Sequence, residues 1–383
     1  MIVSHITLKN WRNFQSVGVD LGNRVFLVGP NASGKSNFLD VFRFLRDVAK
    51  PGGGLQKAIS DRGGIPKIRC LAARRESDVE IEVSLAETAT KDVLWRYAIG
   101  IKREVRGYRN PYLTYEKVWA GDELILNRPN HEDDNDRLRL TQTHLEQISL
   151  NQPFRDISKF FDSVQYLHLI PQLIRYPGAF PGPGIPGDPY GQNFLVRVAK
   201  TSARTRGSRL KKIEEALRVV VPQLTHLTDI KDESGIPHLE ATYEHWRPKG
   251  AKQREDQFSD GTLRLIGLLW ALLEGDSLLL LEEPELSLNS WIVSKLPALM
   301  HRLQRQKRSR PNRQMMLSTH SADLLSDKGI GGEEVLILSP GAEGTDVNVA
   351  SSIREIRGLL DGGLSIADAV LPRTARQMHI GDF

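Results

Sequence analysis

Short runs of apolar residues recur along the chain, and their spacing predicts a mixed α/β fold. Residues 25–28 form a continuous apolar run of the kind that buried strands have, and apolar positions then recur at helical spacing over residues 38–45. Similar apolar runs at residues 278–281, 315–317 and 335–338 predict further buried strands. We therefore expect a mixed central sheet.

Alternating apolar and polar positions predict a second, antiparallel group of strands in the N-terminal half. The alternation runs through residues 79–85, 94–101 and 113–119, with polar segments between them, which is typical of a meander. The other elements that the patterns predict are strands at residues 2–8, 24–28, 164–170, 227–231 and 238–243, and helices at residues 193–199, 209–220 and 263–273.

Changes in pattern divide the chain into four expected segments. Residues 1–125 would form an N-terminal half with antiparallel strands, and residues 126–225 a helical insertion. Residues 226–348 would form a C-terminal half, and residues 349–383 a tail. Within the insertion, residues 176–189 hold so many prolines and glycines that neither helix nor strand is expected there, so we predict a long surface loop.

Composition places the chain among globular proteins without narrowing its function. Of its 383 residues 40% are hydrophobic, the formal net charge is +5, and Cys70 is the single cysteine. That charge permits contact with nucleic acid but does not require it. No apolar run approaches the length that crosses a bilayer, and no signal-peptide pattern opens the sequence. We expect a cytoplasmic protein with no membrane partner, since a single cysteine suits a reducing compartment.

The most specific motif follows the first buried strand. Residues 29–36 read Gly-Pro-Asn-Ala-Ser-Gly-Lys-Ser, which fits the phosphate-binding pattern G-x-x-x-x-G-K-[ST] at every required position. In this pattern a curled backbone and a helix N-terminus surround phosphate oxygens with N–H groups. Lys35 is expected to hold the β- and γ-phosphates of ATP, and Ser36 to bind Mg²⁺. The alternative is a glycine turn that carries Lys-Ser by chance. The nucleotide-binding residues predicted here are Asn31, Ala32, Ser33, Gly34, Lys35, Ser36 and Asn37.

A second anion-binding end is predicted where residues 258–262, which read Phe-Ser-Asp-Gly-Thr, lead into a helix. Ser259 would supply a hydroxyl there, and Gly261 would leave the backbone N–H groups of the helix N-terminus accessible. The alternative is an ordinary N-cap, a role that Ser commonly fills.

Carboxylates and a histidine follow two of the predicted buried strands. The run at residues 278–281 ends in Glu282 and Glu283, and we expect Glu282 to act near Mg²⁺, through its waters, and Glu283 to activate water. His320 comes shortly after the strand at residues 315–317 and is expected to sense the γ-phosphate or the attacking water. A purely structural histidine is the alternative.

The order of these motifs resembles that of ABC-type ATPase heads: phosphate loop, Ser-Asp-Gly before a helix, apolar strand with Glu-Glu-Pro-Glu, then Ser-Thr-His-Ser. The chain is similar to the bacterial AAA-type predicted ATPases related to RecF, SMC proteins and the OLD nucleases, over nearly its whole length as far as Leu336. The resemblance implies an α/β fold, namely a P-loop ABC-type ATPase head with a mixed central sheet, an antiparallel N-terminal meander and a helical insertion. It also implies ATP hydrolysis with Mg²⁺.

In that family two heads meet, and ATP on the loop of one head is covered by the signature segment of the other. The resemblance therefore implies that Ser259 and Gly261 act in trans, within an ATP-dependent homodimer or higher oligomer.

Two residues depart from the family pattern. Glu282 stands where ABC transporters have aspartate, although related predicted ATPases also show Glu-Glu, and Asp260 replaces a signature glycine. The remaining roles that the resemblance implies are Glu283 as catalytic glutamate, His320 as switch histidine, Arg12 as a residue near the phosphates and Gln172 as the Mg²⁺-sensing residue of the Q-loop.

Two functions stay open on the sequence. The first is an ATP switch that controls a separate effector, a nuclease or a toxin, in defence against phage. The second is a RecF-like ATPase of DNA repair or replication that binds DNA itself.

Residues 301–313 carry six Lys or Arg and no acid, so they are expected to engage nucleic acid or an acidic partner, unless they form a solvated helix end. The basic residues within 204–212 are interpreted as a charged helix face.

Overall fold

The computed structural model describes residues 1–74, 78–89, 92–104, 110–179, 185–244, 250–305 and 313–374. The chain folds into two compact units, each assembled from separate stretches of sequence. Unit 1 consists of Met1–Val164, Gln314–His320 and Gly331–Phe383, and unit 2 consists of Gln165–Arg313 and Ser321–Ile330.

The helices and strands are numbered in chain order. The strands are β1 (Ile2–Trp11), β2 (Phe14–Asp20), β3 (Arg24–Val28), β4 (Val79–Ala86), β5 (Val93–Arg103), β6 (Pro111–Ala120), β7 (Glu123–Arg128), β8 (Gln165–Leu167), β9 (Leu224–Lys231), β10 (Pro237–Tyr243), β11 (Ala251–Arg254), β12 (Leu279–Glu282), β13 (Met315–Thr319), β14 (Val335–Gly341) and β15 (Gly344–Val349). The α-helices are α1 (Lys35–Ala49), α2 (Leu55–Ser60), α3 (Ile65–Ile68), α4 (His131–Asn135), α5 (Arg155–Asp162), α6 (Pro171–Arg175), α7 (Phe194–Lys200), α8 (Ala203–Leu217), α9 (Asp260–Leu273), α10 (Ser290–Arg305), α11 (Ala322–Leu325), α12 (Arg354–Asp361) and α13 (Ile366–Thr374). Among these described helices, none combines the length and the apolar character that crossing a membrane requires.

Unit 1 contains the predicted meander as part of a larger antiparallel sheet. Its strand order is β2-β1-β4-β5-β6-β7, and every neighbouring pair is antiparallel. Alternate residues of β4 are buried, among them Val79, Ile81 and Val83, as the alternating pattern predicted. The short β1–β2 turn consists of Arg12 and Asn13, and Arg12 adopts a positive φ of 51°. This turn brings two polar side chains to the functional site described below.

A second set of strands in unit 1 is mixed, as predicted, and it orients the motif loops. β3 pairs in parallel with both β13 and β14, while β15 runs antiparallel to β14. All residues of β13 are buried, which explains its continuous apolar run. Because Thr319 is paired with Val28, β3 and β13 end at the same edge of the sheet. The phosphate loop and His320 therefore both leave the sheet at that edge.

Unit 2 is built around α9, which is buried from Thr262 to Leu273. A helix that is apolar all round belongs in a protein core, and α6, α8 and α10 pack against it. β8 and β12 form a parallel pair, and β9, β10 and β11 form a small antiparallel sheet. The strand predicted at residues 164–170 is shorter than expected, since β8 ends at Leu167 and α6 begins at Pro171.

Arg313 corrects one prediction, because it lies in the interior of unit 2 and not on a basic surface. Its guanidinium donates to the carbonyls of Ala271, Glu274 and Ser277, where α9 has ended, and to the side chain of Gln165. These bonds satisfy carbonyl groups that a helix C-terminus leaves without partners. Burial lowers the pKa of Arg313 to about 10. Within the same basic stretch, residues 306–312 lie outside the described residues.

Candidate functional site

The loop between β3 and α1 has room for glycine alone at two positions of the motif. A Cβ atom on Gly29 would lie 2.6 Å from the carbonyl oxygen of Leu338. Gly34 has a φ of 96°, and a Cβ atom there would lie 2.1 Å from Nδ2 of Asn13. Close packing therefore requires glycine at both positions, and the positive φ of Gly34 requires it there for a second reason.

Asn13 fixes the shape of this loop, although no sequence pattern points to it. Its Nδ2 donates to the carbonyl of Ser33 at 3.0 Å and to Oγ1 of Thr345 at 2.7 Å. Its Oδ1 accepts a hydrogen bond of 2.7 Å from Nδ2 of Asn37. One side chain thus joins the β1–β2 turn, the phosphate loop, α1 and β15. A single polar residue in a turn has no periodic signal, so only its tertiary contacts reveal its role.

The groups that converge inside the loop have the chemistry of a phosphate site. The Nζ atom of Lys35 donates to the carbonyls of Gly29 and Pro30, at 2.8 and 3.0 Å, and the residue is 8% exposed. The hydroxyl of Ser33 is buried and has no hydrogen-bond partner among the described residues. In the same part of the chain no side chain caps the N-terminus of α1, where the first N–H groups of a helix point outward. A phosphate group would satisfy these donors together.

Ser36 stands in the first turn of α1 and is exposed, as a hydroxyl ligand for Mg²⁺ should be. In the part of the chain that the structure describes, no group of three or more His, Cys, Asp or Glu could hold a metal ion. A metal at this loop would therefore rely on the hydroxyl, on few carboxylates and on phosphate oxygens. Mg²⁺ accepts such a set, because it usually keeps several waters.

Arg12 forms an ion pair with a carboxylate of α1. Its guanidinium binds Asp40 on α1, with Nη2 and Nε at 2.6 and 3.1 Å from Oδ2. Arg62 contacts the same carboxylate at 2.9 Å. Burial acts to raise the pKa of Asp40, but Arg62 and Arg12 together hold it below the usual value. A role for Arg12 at the phosphates stays a prediction, and the structure shows it as a positioning contact on α1.

His320 lies at the edge of the sheet from which the phosphate loop emerges. It directly follows Thr319, which is paired with Val28, and Gly29 directly follows Val28. The side chain of His320 is exposed. Parallel strands that end together bring the residues after them to one place, so unit 1 unites the loop and the histidine.

The acidic motif lies in unit 2, at the end of β12. The Tyr166 hydroxyl, on the neighbouring strand β8, donates a hydrogen bond to the carboxylate of Glu282. The next residue, Glu283, adopts a positive φ of 43°, and its carbonyl accepts from Leu286 N–H at 3.2 Å. Tyr166 was not predicted, because a tyrosine in an apolar strand looks like a core residue. Its bond fixes the direction of the Glu282 side chain.

Arg264 supports the same turn from α9. It is buried, and its Nη1 lies 3.5 Å from the carbonyl oxygen of Glu283. Burial lowers the pKa of Arg264, while Glu285, Asp260 and Glu283 act to raise it. The arginine therefore places a positive charge beneath the acidic turn.

The signature segment forms the N-terminus of α9. Ser259 is the N-cap, and its Oγ accepts from the N–H of Thr262 at 3.1 Å. The ordinary capping role that the sequence left open is therefore present, and an anion-binding role for Ser259 stays a prediction. A Cβ atom on Gly261 would lie 2.9 Å from the carbonyl oxygen of Ser287, so α9 packs closely against the turn after the acidic motif.

Asp260, which replaces a signature glycine, is held by two side chains from α6. Arg175 Nη2 lies 2.6 Å from Oδ1 of Asp260, and Gln172 Nε2 lies 2.9 Å from Oδ2. Arg175 also donates to the carbonyl of Phe258 at 2.7 Å. The expected Mg²⁺-sensing amide of Gln172 is thus engaged with the signature segment. These contacts balance a negative charge that would otherwise oppose an anion at this helix end.

A family model described as "AAA domain, putative AbiEii toxin, Type IV TA system" matches residues 24–327 of the chain. Among solved structures, the Smc head bound to the C-winged helix domain of ScpA matches with a TM-score of 0.50 at 14% identity, over 91% of this chain and 98% of that one. The SMC head domain from Thermotoga maritima matches with a TM-score of 0.48 at 14% identity, over 91% of this chain and 99% of that one. The predicted fold, that of an ABC-type ATPase head, is confirmed.

One curated protein shares a short segment with this chain. The endonuclease GajA of Bacillus cereus (strain VD045) is 49% identical over 47 residues, which are 12% of this chain and 8% of that protein. The chain therefore matches less than a tenth of the length of this relative. The similarity indicates common ancestry for that segment alone.

Substituting Gly34 tests whether the loop geometry binds phosphate. We expect Gly34→Ala to abolish binding of a fluorescent ATP analogue, because the added methyl group displaces Asn13 and the backbone must leave its positive φ. Gly52→Ala is the matched control, since Gly52 also has a positive φ, of 71°, but has no atom within 4 Å of the added Cβ. Equal affinity of Gly34→Ala and Gly52→Ala in a fluorescence titration would contradict this account of the loop.

Proposed function

The chain belongs to the family described as "AAA domain, putative AbiEii toxin, Type IV TA system", and from that membership we propose an ATP-hydrolysing switch that pairs with a second copy and controls a separate effector. The observation that carries the proposal is the loop at residues 29–36. There, two closely packed glycines shape a loop that holds a buried lysine, an exposed serine hydroxyl and a buried serine hydroxyl without a partner in the described part of the chain.

The proposed roles of the loop residues follow from their present partners. The ammonium of Lys35 exchanges two neutral carbonyls for the charged β- and γ-phosphates, which is favourable because charge-assisted hydrogen bonds are stronger. Ser33 and the N–H groups of α1 bind the remaining phosphate oxygens. Ser36 is proposed as the hydroxyl ligand of Mg²⁺, and Glu282 is proposed to act on the ion through its waters. When bound, Mg²⁺ neutralises charge on the phosphates.

Glu283 is proposed as the residue that orients the attacking water and accepts its proton at the carboxylate. The positive φ of this residue and the contact of its carbonyl with Arg264 fix the backbone from which the side chain extends. His320 is proposed to bond to the γ-phosphate and so to report whether it is present. Turnover is expected to be slow, because a switch needs a long-lived ATP state.

Pairing of two copies is proposed because a phosphate loop encloses its ligand from one side. The N-terminus of α9 is suited to cover the other side in trans, with Ser259 exposed at its tip. Asp260 would weaken such a contact if its charge were uncompensated. Arg175 and Gln172 supply that compensation, which supports the proposal.

The effector is proposed to be a nuclease or toxin on a separate chain, acting in defence against phage within the cytoplasm. The family description names a toxin and a toxin–antitoxin system, and the short curated match is to an endonuclease. Stable co-purification of such an effector with this chain supports the proposal. Hydrolysis that DNA stimulates strongly, without any such partner, would favour the RecF-like function instead.

Removing the acidic group of Glu283 tests hydrolysis. We expect Glu283→Gln to bind ATP with unchanged affinity and to hydrolyse it at least about 100-fold more slowly, because the proton acceptor is lost. Phosphate release and equilibrium ATP binding are measured on the same preparations. Glu233→Gln, at an exposed position, is the control and should retain the wild-type rate. Wild-type phosphate release by Glu283→Gln would remove this residue from the role.

Placing a large cation at the signature segment tests pairing. In saturating ATP, light scattering should give a larger mass for Glu283→Gln than for the same variant with Ser259→Arg, because the arginine blocks the helix end. Ser234→Arg, at another exposed serine in unit 2, is the control and should leave the ATP-dependent mass unchanged. Identical masses for Glu283→Gln with and without Ser259→Arg would argue against the trans contact.

A further inference from the structure

Helix α8 in unit 2 presents a row of cations beside a surface groove. The groove has a volume of about 310 Å³, and it is lined by Arg204, Thr205, Ser208, Arg209, Lys212 and Leu273. Its α8 residues recur at spacings of one, three and four, so they share one face of the helix. None of these described lining residues is acidic. The groove therefore combines three positive charges with two hydroxyl groups.

Arg209 differs from the neighbouring Arg206 in how its charge is balanced. Arg206 pairs with Asp229 at 2.6 Å and donates to the carbonyls of Ala199 and Thr201, so its role is structural. Arg209 lies 5.1 Å above the ring centroid of the buried Trp270 and forms no hydrogen bond or ion pair within the described chain. This contact holds the guanidinium in place at the groove while leaving its N–H donors for another partner.

Glu274, the acid that affects the pKa of Arg209, already has another cation as its partner. Glu274 raises the pKa of Arg209, but burial has the larger effect and lowers it. Glu274 forms an ion pair with Arg197, and 3.3 Å separates Oε2 of Glu274 from Nε of Arg197. The positive charge at the groove is thus only partly compensated. A bound anion would complete it, and the hydroxyls of Thr205 and Ser208 would add neutral donors.

The length of the row indicates what kind of anion fits. From Arg204 to Lys212 the helix rises about 12 Å at 1.5 Å per residue. Phosphates follow one another about every 3.4 Å along the axis of one strand of a duplex, so the row spans roughly three of them. A single phosphate would occupy one end of such a row. Among the described residues that line the groove there is no aromatic or amide side chain for contact with bases, and Trp270 is buried beneath Arg209.

We propose that the α8 groove binds the sugar-phosphate backbone of a nucleic acid strand, without regard to its sequence. Arg204 and Lys212 contact phosphates at the two ends of the row, and Arg209, supported by Trp270, contacts one between them. The basic residues within 204–212, whose pattern also fits a charged helix face, would then have the phosphates as their ligand. The inference does not depend on ATP binding, since none of these residues belongs to the nucleotide motifs.

The test compares two variants of equal charge in the full chain. The groove variant carries Arg204→Gln and Lys212→Gln. The control carries Lys211→Gln, on α8, and Arg218→Gln, at its C-cap, and both positions are exposed outside the groove. Binding of a short fluorescent single strand is followed by anisotropy between about 50 and 200 mM salt, because each phosphate contact contributes about 0.7 to the salt slope. Unfolding temperatures and basal ATP hydrolysis are measured on the same preparations and should match the wild type.

We expect the wild type to bind, and the groove variant to bind at least about tenfold more weakly at low salt, with a slope smaller by about 1.4. The control variant should stay within about twofold of the wild type. Arg209→Lys keeps the charge and should retain most of the slope. Three results would overturn the proposal: no binding by the wild type at the lowest salt, equal losses in the groove and control variants, or displacement of the strand by inorganic phosphate at equal molar phosphate concentration.

Discussion

The hydrogen bonds of Asn13 are the constraint on which the shape of the loop at residues 29–36 depends. This one amide binds the carbonyl of Ser33, the hydroxyl of Thr345 and the amide of Asn37, while the carbonyl of Asn37 accepts from the indole of Trp11 at 2.9 Å. Asn13 is half-buried, so each of these hydrogen bonds contributes on the order of 1 kcal/mol to keeping the loop in this shape. The loop is therefore held in shape before any ligand arrives, and less ordering is needed when phosphate binds.

The stretch from β8 to α6 has an analogous role in unit 2. Tyr166 holds Glu282, and Gln172 and Arg175 hold Asp260. These two acidic residues are the positions at which the chain departs from the pattern of ABC-type heads. Each departure is accompanied by a side chain from the same stretch that fixes the direction of the acid or balances its charge. The departures are therefore better understood as parts of one local arrangement than as independent losses of motif.

The sequence was most informative where function depends on contiguous residues. Spacing alone located the phosphate loop, the buried strands and the meander, and the order of motifs led to a P-loop ATPase related to SMC and OLD proteins, which is confirmed. It was least informative where a side chain meets a partner far along the chain. Arg313 lies in a basic run yet ends buried at the C-terminus of α9, and Arg12 turns to Asp40. The four contiguous segments stay a prediction, whereas the compact units are discontinuous because the late strand β13 pairs with β3.

The central claim is that the loop at residues 29–36 binds the phosphates of ATP through Lys35, and calorimetric titration of Mg²⁺ and ATP into the purified chain tests it most directly. The account predicts saturable binding of one ATP per chain. Lys35→Ala should lose that binding while keeping the unfolding temperature of the wild type, and Lys57→Ala, whose ion pair with Asp61 is exposed, should bind as the wild type does. Equal heats and affinities for Lys35→Ala and the wild type would contradict the account.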